Sequence, residues 1–446
     1  MSEEPPISDR PPPSAAEPPP SAAEPPRQDD DEESRWRTSL AAPVAIVAIA
    51  IGFIGAIIWV ARQEQDAAAD ALAGTAVEGP LPVTVPYREV GGAIVIDVTF
   101  GDDSRTVPMV LDTGAPTIIS EDLAAAFAGD AVGTIAGASA DGQVVTSDVV
   151  RLPQVAIGEA VFRDVGAVVG AIEPGNPFYC LTTSGFVGAS LMQAATWHID
   201  PATQMVTIAG ASDGLDTAGS LRLDITRSSE VSPSPLFELE TGQGSLTFLA
   251  DTGSDGWLAV HPADLDRLGT EAPVAIPTVS VLGTGSAGAF STRVGWLAQG
   301  LELGDEPVTM PLAVSETLPQ GQGNAGTDFL RQFALTVAWD EDALYLEPLT
   351  PLAAVAPSVP ASVGLGWDDG YVVGSFVEGL EANEGLSLGT PVVAIDGEAV
   401  SGMPFDDYCT RVVRASGPDA RELTVAGDPP LMVTAAPVEG FFEALP

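Results

Sequence analysis

An apolar run that delivers an aspartate into a Thr-Gly turn occurs twice in this chain, and that duplication limits the fold more than any other feature. The first copy is Val110-Leu111-Asp112-Thr113-Gly114-Ala115 and the second is Leu249-Ala250-Asp251-Thr252-Gly253-Ser254. The apolar residues read as a buried strand, and the glycine lets the chain turn just behind the carboxylate. The two aspartates lie 139 positions apart (251 − 112). Gly188 in Gly185-Phe186-Val187-Gly188 and Gly326 in Asn324-Ala325-Gly326 lie 138 apart (326 − 188). The strand ends Asp200 and Asp340, in Trp197-His198-Ile199-Asp200 and Val337-Ala338-Trp339-Asp340, lie 140 apart (340 − 200). Landmarks holding one offset to within a residue imply a duplicated domain.

Paired carboxyls suit one reaction class. Attack of water on a peptide carbonyl calls for a carboxylate as base and a carboxylic acid as proton donor. Two carboxyls in close contact do not both ionise, so they share a proton and titrate as a pair. Asp112 and Asp251, one from each repeat, are the candidate catalytic residues. No metal and no cofactor is called for. His198 and His261 have no partner pattern for a Ser-His-Asp or metal site.

With these motifs the chain resembles the aspartic proteases, in particular the retropepsin-like family of bacteria, over roughly residues 81 to 349. Such lobes carry a hydrophobic-hydrophobic-Asp-Thr-Gly-Ala/Ser loop with a Gly-containing strand and short helix behind it. The resemblance implies a mostly β, bilobal acid-protease fold with both loops in one chain, acting as a monomer on peptide or protein substrates. It implies that Thr113 and Thr252 bond across the pseudo-twofold axis, and that Gly114 and Gly253 give backbone N–H groups to the carboxylates. It places flaps at Ala140-Asp141-Gly142 and Gly285-Ser286. The sequence departs from the family at three points. Asn324-Ala325 stands where two bulky apolar residues are usual, Ser190 stands where the second repeat has Asp328, and neither flap holds a tyrosine.

Around this pair of lobes, 81–212 and 213–349, the chain divides by texture. Residues 1–37 are Pro-, Ala- and Glu-rich, contain a near repeat of Pro-Pro-Pro-Ser-Ala-Ala-Glu, and read as a disordered tail. Residues 38–61 hold no charge and are long enough for one transmembrane helix. The run exceeds a signal-peptide core, which favours a retained anchor. Arg35 and Arg37 on one side against Arg62 on the other orient the tail to the cytoplasm and residues 63–446 outside it. Residues 62–80, Ala-rich and polar, read as a stalk. Ser120 reads as the N-cap of a short helix. A formal charge of −45, with every basic residue an arginine, excludes nucleic acid as a partner.

A Pro-bearing linker, 350–360, leads to a smaller α+β unit, 361–436. Gly364-Leu365-Gly366-Trp367, Glu384-Gly385-Leu386 and the apolar strand before Asp396-Gly397 resemble a PDZ domain. That resemblance implies a peptide carboxylate loop at Gly364, Leu365 and Gly366. The unit has no acid–base or nucleophile pattern, so its expected part is to recruit or regulate. Cys180 and Cys409 are the two cysteines; two buried free thiols are expected, while an oxidising compartment would permit a bridge. The reading is thus a membrane-anchored aspartic endopeptidase. The alternative is a non-catalytic peptide-binding protein built on the same scaffold.

Overall fold

The computed structural model describes residues 62–446 except 102–104, 139–143, 230, 242–243, 269–275, 286–287, 304–305, 351–358, 416–419 and 444–446. The tail 1–37 and the apolar span 38–61 lie outside the described residues. Among those described, no helix is long and apolar enough to cross a membrane. Residues 61–446 form one compact unit.

Each Asp-Thr-Gly loop sits at the end of a strand threaded through the middle of a sheet. In the first lobe Arg105–Asp112 lies between the antiparallel strand Ala93–Phe100 and the parallel strand Gly185–Gly188, with Gly188 opposite Asp112. In the second, Gly244–Ala250 lies between Pro235–Thr241 and Gly323–Ala325, with Ala325 opposite Ala250. Strands flanked on both sides should be apolar on both faces. Met109, Val110 and Leu111 are buried on both faces, whereas the second strand buries only one face fully, through Leu246, Phe248 and Ala250. The strand behind each loop turns directly into a short helix, Ala189–Met192 or Thr327–Leu330. Ala189 N–H donates to Ala115 O and Thr327 N–H to Ser254 O, both at 2.8 Å. The repeat seen in the sequence is therefore a repeat of hydrogen bonds. Ser120 caps the helix Glu121–Phe127 by accepting from Leu123 N–H.

The lobes share a third layer. Thr196–Asp200 from the first pairs antiparallel with Phe333–Ala338 from the second, and Val83–Pro86, Met205–Ala209, Ala343–Pro348 and Leu221–Arg227 extend the sheet on either side. His198 faces Thr336 at the centre of that junction, Nδ1 to Oγ1 at 2.8 Å with a chain separation of 138, the repeat offset itself. His198 is thus a structural residue on the pseudo-twofold axis. His261 accepts from Ala263 N–H and opens the turn Pro262–Leu268.

Three expectations are corrected. Residues 62–80 are not a free stalk: a helix over 62–73 lays Ala68, Ala71 and Leu72, all fully buried, on Val149 and Val168, and Ala76–Glu78 then pairs with Ala160–Gly170 of the first lobe. The spacing of those three side chains is one helical face. Cys180 and Cys409 are not free thiols but form a disulfide with Cα atoms 4.9 Å apart. Gly364, Leu365 and Gly366 do not form an open loop. They lie in the strand Val363–Trp367, paired with Tyr371–Val377 through a bulge. A Cβ on Gly366 would stand 2.8 Å from Gly374 Cα, so this glycine serves close approach of two backbones. The Tyr408 hydroxyl caps the strand by donating to Leu365 O at 3.4 Å, and Trp367 packs on Phe405 at 5.3 Å.

The C-terminal unit has its own core around Val373, Ile395, Leu423 and Cys409, and a sheet of Val392–Ile395, Glu398–Ala399, Arg421–Val425 and Leu431–Ala435. It is nevertheless joined to both lobes. Tyr371–Val377 pairs with Thr278–Gly285 of the second lobe, Val279 opposite Val377, and so covers what would be an open sheet edge. Glu378 locks the seam by accepting from Thr278 Oγ1 and Ser280 Oγ and pairing with Arg293 Nε. The hydrogen bond from Ser280, ahead of the Arg293 charge, holds the Glu378 carboxyl below its ordinary pKa. Phe441 and Phe442 pack edge-on against Trp296. On the other side the disulfide ties the unit to the helix Pro177–Leu181 of the first lobe.

Candidate active site

The two Asp-Thr-Gly loops meet through their threonines. Thr113 N–H donates to Thr252 Oγ1 and Thr252 N–H donates to Thr113 Oγ1, both at 3.0 Å. Each hydroxyl then donates across to the opposite strand, Thr113 Oγ1 to Ala250 O at 2.6 Å and Thr252 Oγ1 to Leu111 O at 2.8 Å. Both threonines are buried, so every one of these groups would be costly unpaired. A hydroxyl both donates and accepts, and a β-branched side chain has few rotamers. Threonine therefore closes the reciprocal pattern where valine could not.

This grip sets the carboxyls. Gly114 N–H donates to Asp112 Oδ1 and Gly253 N–H to Asp251 Oδ1, both at 2.9 Å. A Cβ on Gly114 would overlap the Asp251 carboxyl, and one on Gly253 would overlap that of Asp112. The glycines are thus required because each loop lies against the other's acid, and the two carboxyls face one another. Burial, then the negative charge of Asp251, pushes Asp112 well above the ordinary carboxylate range. Burial also raises Asp251, but four hydrogen bonds oppose it, led by that from Asn324.

Asn324 breaks the symmetry of the pair. Its Nδ2 donates to Asp251 Oδ2 at 3.1 Å. The matching residue of the first lobe is Phe186, which has nothing to donate. A donor favours the charged form of its acceptor, so this bond draws the pair's negative charge towards Asp251 and its proton towards Asp112. Sequence reasoning marked Asn324 as a departure but gave it no role; only the geometry supplies one.

The cleft opens on both sides of the loops. Beside Asp112 and Gly114 lies a cavity of about 420 Å³, overhung by Ile135 and Gly137 of Gly133–Ala138 and by Val145 and Ser147 of Val144–Ile157. This is the hairpin expected as the first flap; its tip, with Ala140, Asp141 and Gly142, lies outside the described residues. Beside Thr252, Gly253 and Ser254 lies a second cavity of about 450 Å³. The second hairpin, Thr278–Gly285 with Gly288–Leu303, contributes none of the described residues lining either cavity. Gly285 ends its first strand and Ser286 lies outside the described residues. The structure thus brings together Asp112, Asp251, their threonines and glycines and the first hairpin, and turns the second hairpin to the C-terminal unit.

Among the described residues no group of three or more His, Cys, Asp or Glu side chains is placed to hold a metal.

A β lobe whose Asp-Thr-Gly loop is backed by a glycine strand and short helix is the architecture of an aspartyl protease domain. The comparison with family models agrees: the family described as Aspartyl protease matches residues 96–211, from within the strand Ala93–Phe100 to the end of the first lobe. No curated protein matches the chain.

Replacing Asn324 tests the asymmetry. Asn324→Leu restores an apolar residue and removes the donor to Asp251. A hydrogen bond to a charged group contributes roughly 1.5–3 kcal/mol. The charged form of Asp251 loses that support, so its proton is released at higher pH. The acid limb of the pH–rate profile should move upward, with about a tenfold loss of kcat/KM on that limb. The alkaline limb, set by loss of the Asp112 proton, should move far less. An unchanged acid limb would show that Asn324 does not hold the charge.

Proposed function

We propose that this chain is an aspartic endopeptidase that hydrolyses peptide bonds with a water held between Asp112 and Asp251. The observation that carries the proposal is the reciprocal threonine grip, which sets each loop's glycine against the opposite carboxyl. Asp251, ionised, takes a proton from the water as its oxygen forms a bond to the carbonyl carbon. Asp112 gives its proton to the carbonyl oxygen, and a neutral gem-diol results. Asp251 then passes its new proton to the nitrogen, the C–N bond breaks, and Asp112 recovers a proton from the gem-diol hydroxyl. The dyad is back in its starting state, and no covalent enzyme intermediate forms.

We further propose that residues 38–61 anchor the enzyme and that residues 63–446 lie outside the cytoplasm. The disulfide supports that side of the membrane, because such bonds persist in oxidising compartments. The C-terminal unit keeps the order of PDZ motifs, and that kinship belongs to the proposal as well.

The test is cleavage of unfolded proteins by the purified chain, with the new termini read by mass spectrometry. Cleavage should be blocked by a peptide carrying a tetrahedral hydroxyl-bearing carbon in place of the scissile carbonyl, since such mimics bind tighter than substrates. Binding of peptides without cleavage at any pH would favour a binding protein on a protease scaffold.

A further inference from the structure

The far wall of the cavity beside Gly253 is built by two parts of the molecule. Phe178 and Leu181 come from the helix Pro177–Leu181 of the first lobe, and Val412 and Val413 come from the C-terminal unit. The disulfide joins these two pieces. Cys180 stands between Phe178 and Leu181, and Cys409 opens the turn Cys409–Val413. Arg414 Nε donates to Cys180 O at 2.7 Å and closes the seam beside the bond. The tight turn at Gly91 (φ +57°) fits beneath: a Cβ there would meet Val413 O at 2.7 Å and Leu181 Cδ2 at 2.9 Å. The C-terminal unit is therefore packed into the cleft.

Phe178 has a second property. Its ring is 41 % exposed, one of few large apolar side chains so open. It lines this cavity and also the one beside Asp112. It is held edge-on to Phe186, with ring centres 5.5 Å apart and planes at 88°. A fixed ring thus separates two chambers that both reach a catalytic loop. In an extended peptide alternate side chains point the same way, about 6.6 Å apart. Two chambers on either side of one aromatic ring can each take one of two such alternate side chains.

We infer that the C-terminal unit forms part of the substrate cleft, where Val412 and Val413, facing Leu181 and Phe178, make a subsite for an apolar side chain of the polypeptide substrate. That side chain is two residues from the one seated in the chamber beside Asp112, on the same side of the scissile bond. The inference rests on the endopeptidase reading and deepens it. The unit that seemed a separate recruiting module then reads the substrate's sequence within the cleft.

The experiment compares cleavage profiles of the full chain and three variants at Val412 on a library of unfolded peptides. Val412→Asp and Val412→Arg place opposite charges on the same wall, at a partly exposed position. The unmodified chain should prefer apolar residues at the outer position. Val412→Asp should lower kcat/KM for those substrates at least tenfold and favour Arg or Lys there, and Val412→Arg should favour Asp or Glu. Preference at the position beside Asp112 should stay as it was. Val412→Thr, which keeps the shape, covers the case in which a charged variant fails to fold; it should weaken the apolar preference alone. Turnover with an unchanged outer preference in the variants that fold would overturn the subsite and leave the endopeptidase reading intact. No turnover of any peptide by the unmodified chain would overturn both.

Discussion

Asp112→Asn and Asp251→Asn are each expected to abolish turnover, with kcat falling by about 10³-fold or more. General acid–base catalysis by one positioned group contributes roughly 10²–10⁴-fold. Here the two groups act on one water and one carbonyl, so losing either removes the path. The double variant should be scarcely slower than either single one, as expected of residues that act as a unit. Folding should survive. Gly114 N–H and Gly253 N–H can donate to an amide oxygen as they do to a carboxyl oxygen. The stability change has a definite sign. Both carboxyls are raised above their ordinary range, by burial first. The native state therefore binds protons more tightly than the unfolded chain, and the dyad weakens the fold as pH rises through that raised range. Removing one acid lifts the penalty, so the Asn variants should unfold at equal or higher temperature at neutral pH and show no gain in acid. Thermal melts across pH check this. Full activity in Asp251→Asn would leave Asp112 to find its partner in a second chain, and the single-chain dyad would be wrong.

Removing the disulfide should produce the largest change in stability. Cys180 and Cys409 are fully buried and close a loop of 229 residues, which takes in the end of the first lobe, the whole second lobe and much of the C-terminal unit. In the chain-entropy account, a loop of that size stabilises by about 5 kcal/mol, and engineered cases often show less. We therefore expect Cys180→Ala with Cys409→Ala to lower the unfolding free energy by about 3–5 kcal/mol in denaturant titrations. The unmodified chain titrated with a reductant should converge on the variant. The strand pairing at Val279 and Val377 and the aromatic contacts of Trp296 would still hold the C-terminal unit to the second lobe. Its grip on the first lobe would rest on the Arg414 bond to Cys180 O and on packing alone, and the wall beside Gly253 would loosen. A reductant that leaves both stability and cleavage profile unchanged would refute this account.

The repeat and the dyad were legible in the sequence because they depend on local chemistry. An aspartate between an apolar strand and a Thr-Gly turn has few uses, and a constant offset carries the rest. The roles of Thr113 and Thr252 followed from the resemblance and hold in the structure to the individual hydrogen bond. What stayed hidden depends on contacts between distant segments. Nothing near Cys180 points to Cys409. The Ala-rich composition of 62–80 suggested a spacer, although Ala68, Ala71 and Leu72 fall on one helical face; small side chains carry a weak apolar signal yet let a helix approach a sheet closely. The glycines at 364 and 366 matched a loop motif, but the match could not tell an open loop from two backbones in close approach. The second flap was mislaid for a similar reason. A hairpin reads the same whether it covers a cleft or offers its edge to a neighbouring unit.

The sheet shared between the lobes has a consequence for the time at which this protein becomes dangerous. Its strands come from 83–86, 196–209, 221–227 and 333–348, so the first lobe's sheet waits for segments more than a hundred residues downstream. Pairings so distant close late, because the ordering cost of a long loop precedes any reward. A chain emerging from synthesis or export holds Asp112 long before the partner strands that would seat Asp251 against it. On the proposed endopeptidase reading, the paired aspartates come together only in the finished molecule, so a growing chain holds no complete dyad with which to cut itself.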